Sequence, residues 1–266
     1  MKKEEIVKDF TKTSPSEILS GDFVGDLELR WKRMNGLVDN ILSRYRNPKI
    51  LDLALGGGHD SIFLLKKGYD VISNEIDNAM INRATERAKQ EGVNLTVRNV
   101  QWEDIGDSPE YRPEEFEFIF SLGNSFPNYL LQKEDREKSL AGLWKIIKPG
   151  GTLLFDARNF DYMIQNAEEI LKNPECNFRY KGNTTFLNKD TVFGFPIEIS
   201  SEKVHFIWKH YKNREYTELD LWPATVDNVT KMIKEVLGDI KFDIYFDYRR
   251  QRAAHYDFVQ YVLKKS

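Results

Sequence analysis

The sequence predicts an α/β protein: a doubly wound, mostly parallel seven-stranded sheet with an inserted antiparallel β segment. Three observations carry this. From residue 49 to 155, short apolar runs alternate with helix-length spacers, and strands joined by helices lie parallel with right-handed crossovers. A glycine cluster, Leu55-Gly56-Gly57-Gly58, joins the first strand to the first of those helices. After Asn159 the chain becomes rich in Phe, Tyr, Thr and Ile between Gly and Asn turns, as antiparallel strands are.

The elements follow in order. Ser14-Pro15-Ser16-Glu17 is a capping box with proline at the first helical position. Leu27, Trp31, Met34, Val38, Ile41, Leu42 and Tyr45 then keep helical spacing up to Asn47-Pro48. Residues 49–53 read as a buried strand, 61–67 as a helix ended by Gly68, 70–73 as a strand and 78–91 as a helix with Asn78 as N-cap. Residues 95–100 and 116–121 are strands. Residues 134–147 are a helix with Leu140, Leu143, Trp144 and Ile147 on one side, and Pro149-Gly150-Gly151 turns into a strand at 152–155. Residues 161–171 read as a helix. Thr225 caps a helix that Gly238 closes, and 241–248 with 256–263 form a final hairpin. The chain thus divides into an N-terminal helical segment (1–48), an α/β core (49–176), an inserted antiparallel segment (177–222), and a helix and hairpin completing the core sheet (223–266).

Composition narrows the function classes. With 39 Lys plus Arg against 42 Asp plus Glu, the net charge of −3 argues against a surface built to grip nucleic acid or an anionic membrane. The single cysteine, Cys176, excludes an internal disulfide and a cysteine-based zinc site. His205 and His210, five apart in a strand, face opposite sides, so no metal is expected. No apolar stretch follows the start and no run reaches membrane-spanning length, so the reading is a soluble, cytoplasmic protein. Of 34 aromatic residues, 26 fall at or after Phe116, a skew that strands explain and that an aromatic-lined pocket also explains.

The chemistry concentrates at the strand ends. Asp52 ends the first strand, and Ala54, Gly56 and Gly58 lie in a turn whose glycines allow close backbone approach to a ligand. Glu75 follows the second strand, 17 residues after Gly58, where an acidic side chain accepts the hydroxyls of a ribose. A nicotinamide site asks for glycine at position 61, which is Ser61; Tyr129 and Lys133 share the spacing of a dehydrogenase pair without its context, and no phosphate-binding P-loop is present. The opening Asp-x-Ala-x-Gly-x-Gly resembles that of class I S-adenosylmethionine-dependent methyltransferases, and this resemblance implies Gln101 and Trp102, after the third strand, as the adenine contacts.

Four stretches make the resemblance specific: Leu51-Asp-Leu-Ala-Leu-Gly-Gly-Gly-His-Asp-Ser61, Leu122-Gly-Asn-Ser-Phe126, Pro149-Gly-Gly151 and Asp156-Ala-Arg-Asn-Phe-Asp-Tyr162. Over residues 29–162 the chain resembles the glycine N-methyltransferase and glycine/sarcosine N-methyltransferase family, with a Rossmann-like fold of the class I S-adenosylmethionine-dependent type. The resemblance implies that Trp31, Arg30 and Arg33 close over the cofactor, with Leu122 beside it. It implies that Asn124 sits at the mouth of the transfer site and Arg158 holds a substrate carboxylate, with Tyr180 and Tyr211 around the substrate. Ala157, Leu55, Gln101 and Glu218 depart from the family pattern, and Ala157 and Glu218 bear on substrate choice.

The leading reading is methyl transfer to the amine of a small, carboxylate-bearing amino acid, glycine or sarcosine first. Transfer to another metabolite or a macromolecule, a non-catalytic S-adenosylmethionine sensor, and, more distantly, a nicotinamide oxidoreductase stay open. The oligomeric state is not legible.

Overall fold

Alternating burial on both faces of the strands explains why the core of this chain reads as continuous apolar runs. In the computed structural model, which describes residues 3–18, 31–32, 34–178 and 192–266, Ile50, Phe118, Phe120, Leu154 and Val262 point to one side of the main sheet. Leu51, Ile119, Leu153, Phe155 and Tyr261 point to the other. All ten are at most 6% exposed, so both faces are covered, as a parallel sheet requires.

The described strands are β1 (Thr11–Lys12), β2 (Lys49–Asp52), β3 (Asp70–Asn74), β4 (Thr96–Arg98), β5 (Phe116–Ser121), β6 (Ile147–Arg158), β7 (Val192–Ile199), β8 (Val204–His210), β9 (Glu215–Leu221), β10 (Phe242–Phe246) and β11 (Phe258–Lys264). Seven of them form one sheet in the order β10-β11-β6-β5-β2-β3-β4. The five strands β6, β5, β2, β3 and β4 are parallel, and β11 lies antiparallel between β6 and β10. The helices are α1 (Lys3–Ile6), α2 (Pro15–Ile18), α3 (Leu37–Leu42), α4 (His59–Lys66), α5 (Asn78–Gln90), α6 (Lys133–Ile146), α7 (Phe160–Gln165), α8 (Ala167–Lys172), α9 (Pro174–Asn177) and α10 (Val226–Leu237). Helix α10 begins on the Thr225 hydroxyl, which accepts from Asn228 N at 3.1 Å, and ends at Gly238.

Several local expectations change. The helical spacing around Trp31–Tyr45 is interrupted at Asn35 and Gly36, whose φ angles of 51° and 71° are left-handed, and a regular helix starts only at Leu37. The N-cap of α5 is Asp77, not Asn78: the Asp77 carboxylate accepts from Ala79 N at 2.8 Å and Met80 N at 3.3 Å. The expected helix over 161–171 is two helices, broken at Asn166, whose amide donates back to Tyr162 O at 2.8 Å.

The antiparallel segment builds a sheet of its own, ordered β1-β9-β8-β7. Its outer strand, β1, comes from the N-terminal segment, which the sequence reading treated as helical; it pairs parallel to β9 through Thr11–Glu215 and Lys12–Tyr216. Successive residues of β8 serve different neighbours. Phe206 and Trp208 stack with ring centroids 5.0 Å apart on one face, while His205, Ile207 and Lys209 occupy the other. Trp208 lies flat on Gly194 of β7, where a Cβ would fall 2.3 Å from its indole nitrogen. Trp208 is 3% exposed and has no room to withdraw. Gly194→Ala is therefore expected to destabilise the fold by about 1–3 kcal/mol, read as a lowered urea midpoint and an altered near-ultraviolet tryptophan signal.

Candidate active site

The loop after β2 is held by a buried carboxylate. Asp52, 3% exposed, accepts from Ala54 N at 3.2 Å and from the Ser61 hydroxyl at 2.7 Å, and Ser61 lies 2.8 Å from the Ser73 hydroxyl on β3. Burial pushes the Asp52 carboxyl up to about 7, against the pull of the Ser61 and Ala54 hydrogen bonds. Asp52 thus faces the loop and fixes the start of α4. Gly58, with φ of 80°, caps that helix, and a Cβ there would lie 2.9 Å from Ala84 of α5. Gly56 has φ of 51°, and its open side meets nothing nearer than 4.0 Å.

Glu75 joins the second strand to this loop. Its Oε2 accepts from Gly56 N at 3.0 Å, and its Oε1 accepts from Ile76 N at 2.9 Å and Asp77 N at 3.0 Å. A carboxylate has about four acceptor positions, so capacity for a ligand hydroxyl remains. Gln101 is exposed beyond β4. Trp102 is half-buried: its indole N–H donates to Leu53 O at 3.0 Å and its ring meets Phe126 edge-on at 5.8 Å.

The loop after β5 carries the second half of the site. Gly123 N and Asn124 N converge on the carboxylate of Asp156 in β6, at 2.9 and 2.7 Å. Asn124 takes a left-handed φ of 69° and is 2% exposed. Its side-chain oxygen accepts from Arg158 N at 2.8 Å and from the Asn128 amide at 3.0 Å. Arg158 ends β6 at 6% exposure, with its guanidinium 5.4 Å from the Phe258 ring centre and 5.9 Å from Phe206. The face of the antiparallel sheet that bears Phe206 and Trp208 thus meets Arg158.

The structure brings Asn124 and Arg158 together, Gly56 and Glu75 together, and Asp52 with Ala54 and Gly58 in one loop. Leu122, 9% exposed, packs in the core cluster that also holds Trp31. Trp31 lies against α4, stacked on Phe63 at 4.8 Å with its N–H 3.2 Å from Asp60 Oδ1. Tyr211 is committed elsewhere: its hydroxyl donates to Glu175, its ring meets Phe10 edge-on at 5.9 Å, and it neighbours Lys209 on the β8 face opposite Phe206. Arg30, Arg33 and Tyr180 lie outside the described residues. Glu218 also sits on that opposite face, ion-paired with Lys3 and Lys12, and Ala157, next to Arg158 in β6, is fully buried in the core cluster that holds Phe206. Lys133 pairs with Glu137 and Glu235 at 3.2 and 3.3 Å, which separates it from Tyr129. No cluster of three or more metal-ligating side chains occurs among the described residues, and no helix there is long and apolar enough to cross a membrane.

Two residues that organise the site escape the sequence reading. Asp156 and Ser61 hold the two loops, and an aspartate inside the apolar run 152–157 is the available signal for the first.

The Asp52 carboxyl gives a pH signature. Its folded value lies above its ordinary one of 3.8, so the stability it contributes is complete below about pH 4 and is lost as pH rises toward 7. Asp52→Asn removes this dependence. The melting temperature of the variant minus that of wild type is expected to rise from pH 5 to pH 7 and level off above; a flat difference means that Asp52 is ionised throughout.

The site fits S-adenosylmethionine. Gly56 and Gly123, on adjacent strand ends, both have positive φ and open sides that a Cβ would fill, and Glu75 stands beside them. A family model described as "Methyltransferase domain" matches residues 50–151. The chain is 26% identical to the glycine/sarcosine N-methyltransferase of Parasynechococcus marenigrum (strain WH8102) over 92% of this chain and 84% of that one. It is 28% identical to the enzyme of the same name from Halorhodospira halochloris, over 82% and 75%. An S-adenosylmethionine-dependent methyltransferase structure from Clostridium acetobutylicum superposes with a TM-score of 0.64 at 16% identity, covering 91% of this chain and 92% of that one, and so shares its fold. With that domain seated on a doubly wound sheet whose edge carries the glycine cradle and Glu75, the chain is an S-adenosylmethionine-dependent methyltransferase with the class I fold, and it resembles the glycine and glycine/sarcosine N-methyltransferases.

Proposed function

We propose that the protein methylates the amine of a small amino acid, glycine or sarcosine first. The observation that carries this reading is Arg158, a buried arginine at the carboxyl end of β6, whose backbone is tied to Asn124. Ligands of open α/β sheets bind at that edge. A guanidinium takes a carboxylate through two parallel N–H groups, and that of Arg158 lies beside the Phe206 and Phe258 rings, in apolar surroundings that strengthen such a pair. The glycine/sarcosine N-methyltransferase names of the relatives point to the same acceptor class.

The chemistry asks for little beyond position. S-adenosylmethionine supplies a sulfonium-bound methyl group that leaves without acid assistance. Arg158 binds and orients the acceptor, fixing the distance between its carboxylate and its amine. An amine with a pKa of about 10.4 loses about 4–5 kcal/mol at pH 7 in presenting a neutral lone pair, and solvent takes that proton. In-line positioning is worth about 7–11 kcal/mol, enough to outweigh this cost. Asn124 acts as a positioning residue: it locks the β5 loop to the backbone that presents the guanidinium. The antiparallel sheet excludes water through Phe206 and Trp208, which strengthens the charge interaction.

Arg158→Ala removes both the charge and the fork. Removing one partner of a buried, hydrogen-bonded charge pair costs about 2–5 kcal/mol, so kcat/KM for glycine or sarcosine is expected to fall about 30-fold or more. The dissociation constant for S-adenosylhomocysteine, measured by calorimetry, is expected to stay within about threefold. Unchanged acceptor kinetics would refute the clamp.

A further inference from the structure

Tyr129 is an exposed aromatic on a segment that is otherwise fastened down. Asn128, next to it, is fully buried, and its carbonyl accepts from Trp222 N at 2.7 Å. On the other side, Arg136 donates to the carbonyls of Leu130 and Leu131, both at 2.7 Å, while its guanidinium lies 4.2 Å from the Trp222 ring centre. Phe126 is fully buried and Tyr129 N donates to Ser125 O at 3.2 Å. A ring held between such anchors and still 41% exposed is aimed, because the backbone that carries it has no freedom to turn it inward.

The topology says where it is aimed. Strand β5 lies between β2 and β6, so the loop after it stands between the glycine loop and Arg158. The phenol is desolvated strongly enough to push its pKa up, with Arg158 pulling it down and Glu75 pushing it further up. Asn128, the residue before Tyr129, donates to Asn124, which in turn takes the Arg158 N–H, so Tyr129 is carried on the loop fastened to the acceptor end, with the glycine loop and Glu75 on the neighbouring strand end. Ile76, 48% exposed and directly after Glu75, is a second large apolar side chain exposed at this edge.

We infer that Tyr129 is a specificity-determining residue, its ring walling the transfer pocket between Glu75 and Arg158 and limiting the bulk that an acceptor amine carries. The size-limiting part rests on the amino-acid reading above; the wall does not. The phenol stays neutral at working pH, so ring volume, not charge, sets the limit. Tyr129→Ala widens the pocket, and Tyr129→Phe keeps it.

Hydroxyl-radical footprinting of the full chain, read by mass spectrometry, tests the wall: saturating S-adenosylhomocysteine is expected to slow oxidation of Tyr129 at least fivefold. Steady-state kinetics test the limit. Tyr129→Ala is expected to raise kcat/KM for N-methylated relative to unmethylated amino acids at least tenfold, and Tyr129→Phe to shift that ratio less than threefold. An unprotected Tyr129, or an alanine variant with the wild-type ratio, overturns the inference. A wild type inert toward every amino acid while Tyr129 is protected refutes the acceptor reading and leaves the wall standing.

Discussion

The carboxylate of Asp156 lies inside the sheet, 2% exposed, and takes the N–H groups of Gly123 and Asn124. Much of the site depends on this contact. Asp156 belongs to β6, so the bond fixes the loop after β5 relative to the strand that ends two residues later in Arg158. Asn124 closes the ring by accepting the Arg158 backbone N–H. A left-handed asparagine costs about 1–2 kcal/mol. Two charge-assisted hydrogen bonds to a buried carboxylate outweigh that cost, at about 1.5–3 kcal/mol each. Without the carboxylate, two N–H groups would lose their partner, and the loop that carries Asn124 and Tyr129 would lose its fixed place.

The same device recurs along the carboxyl edge of the sheet. Asp52, Ser61 and Ser73 join β2, α4 and β3, and the buried side chain of Asn74 joins β3 to Val100 on both its N–H and its carbonyl while accepting from the Tyr111 hydroxyl at 2.8 Å. Buried polar groups are costly unless paired, and these are paired across neighbouring elements, so each holds one strand end against the next. A parallel sheet made of apolar runs specifies its layers but not the disposition of the loops at its edge. The polar knots supply that disposition, and they occur where a cofactor and an acceptor must be held at a fixed separation.

What was legible in the sequence follows from this division. The helix–strand alternation from Lys49 to Phe155, the cap at Thr225, the closing hairpin and the glycine turn are local signals: periodicity, capping chemistry and glycine φ demands act within a few residues. Pairing partners are not local. Strand β1 is two residues long, and its place beside β9 depends on residues more than two hundred positions away. Trp31 and Tyr211 carried no mark of their partners Asp60 and Glu175, since an indole N–H or a phenol is satisfied by any acceptor that the fold delivers. The stretches holding Asn124 and Arg158 stand out because they are contiguous motifs, but the hydrogen bond between the two residues does not, and neither does the exposure of Tyr129, which spacing does not encode.

The antiparallel sheet separates two tasks by strand alternation. One face of β8 offers Phe206 and Trp208 to the Arg158 side, with Gly194 leaving room for the indole. The opposite face is polar and tied to the N-terminal segment: Glu218 binds Lys3, Lys12 and His205, and Lys209, 5% exposed, pairs with Glu175 at 2.9 Å. Burial would raise the Glu218 carboxyl, but its bonds to Lys12 and Lys3 hold it down at about 2. That ionised carboxylate fastens helix α1 and strand β1 onto β9. The N-terminal segment thus backs the sheet on one face while the opposite face, with Phe206 and Trp208, turns toward Arg158. Glu218 of β9 therefore serves the seating of α1 and β1 on the face opposite Phe206, which is why a charge that departs from the family pattern is compatible with an aromatic face turned toward Arg158 of β6.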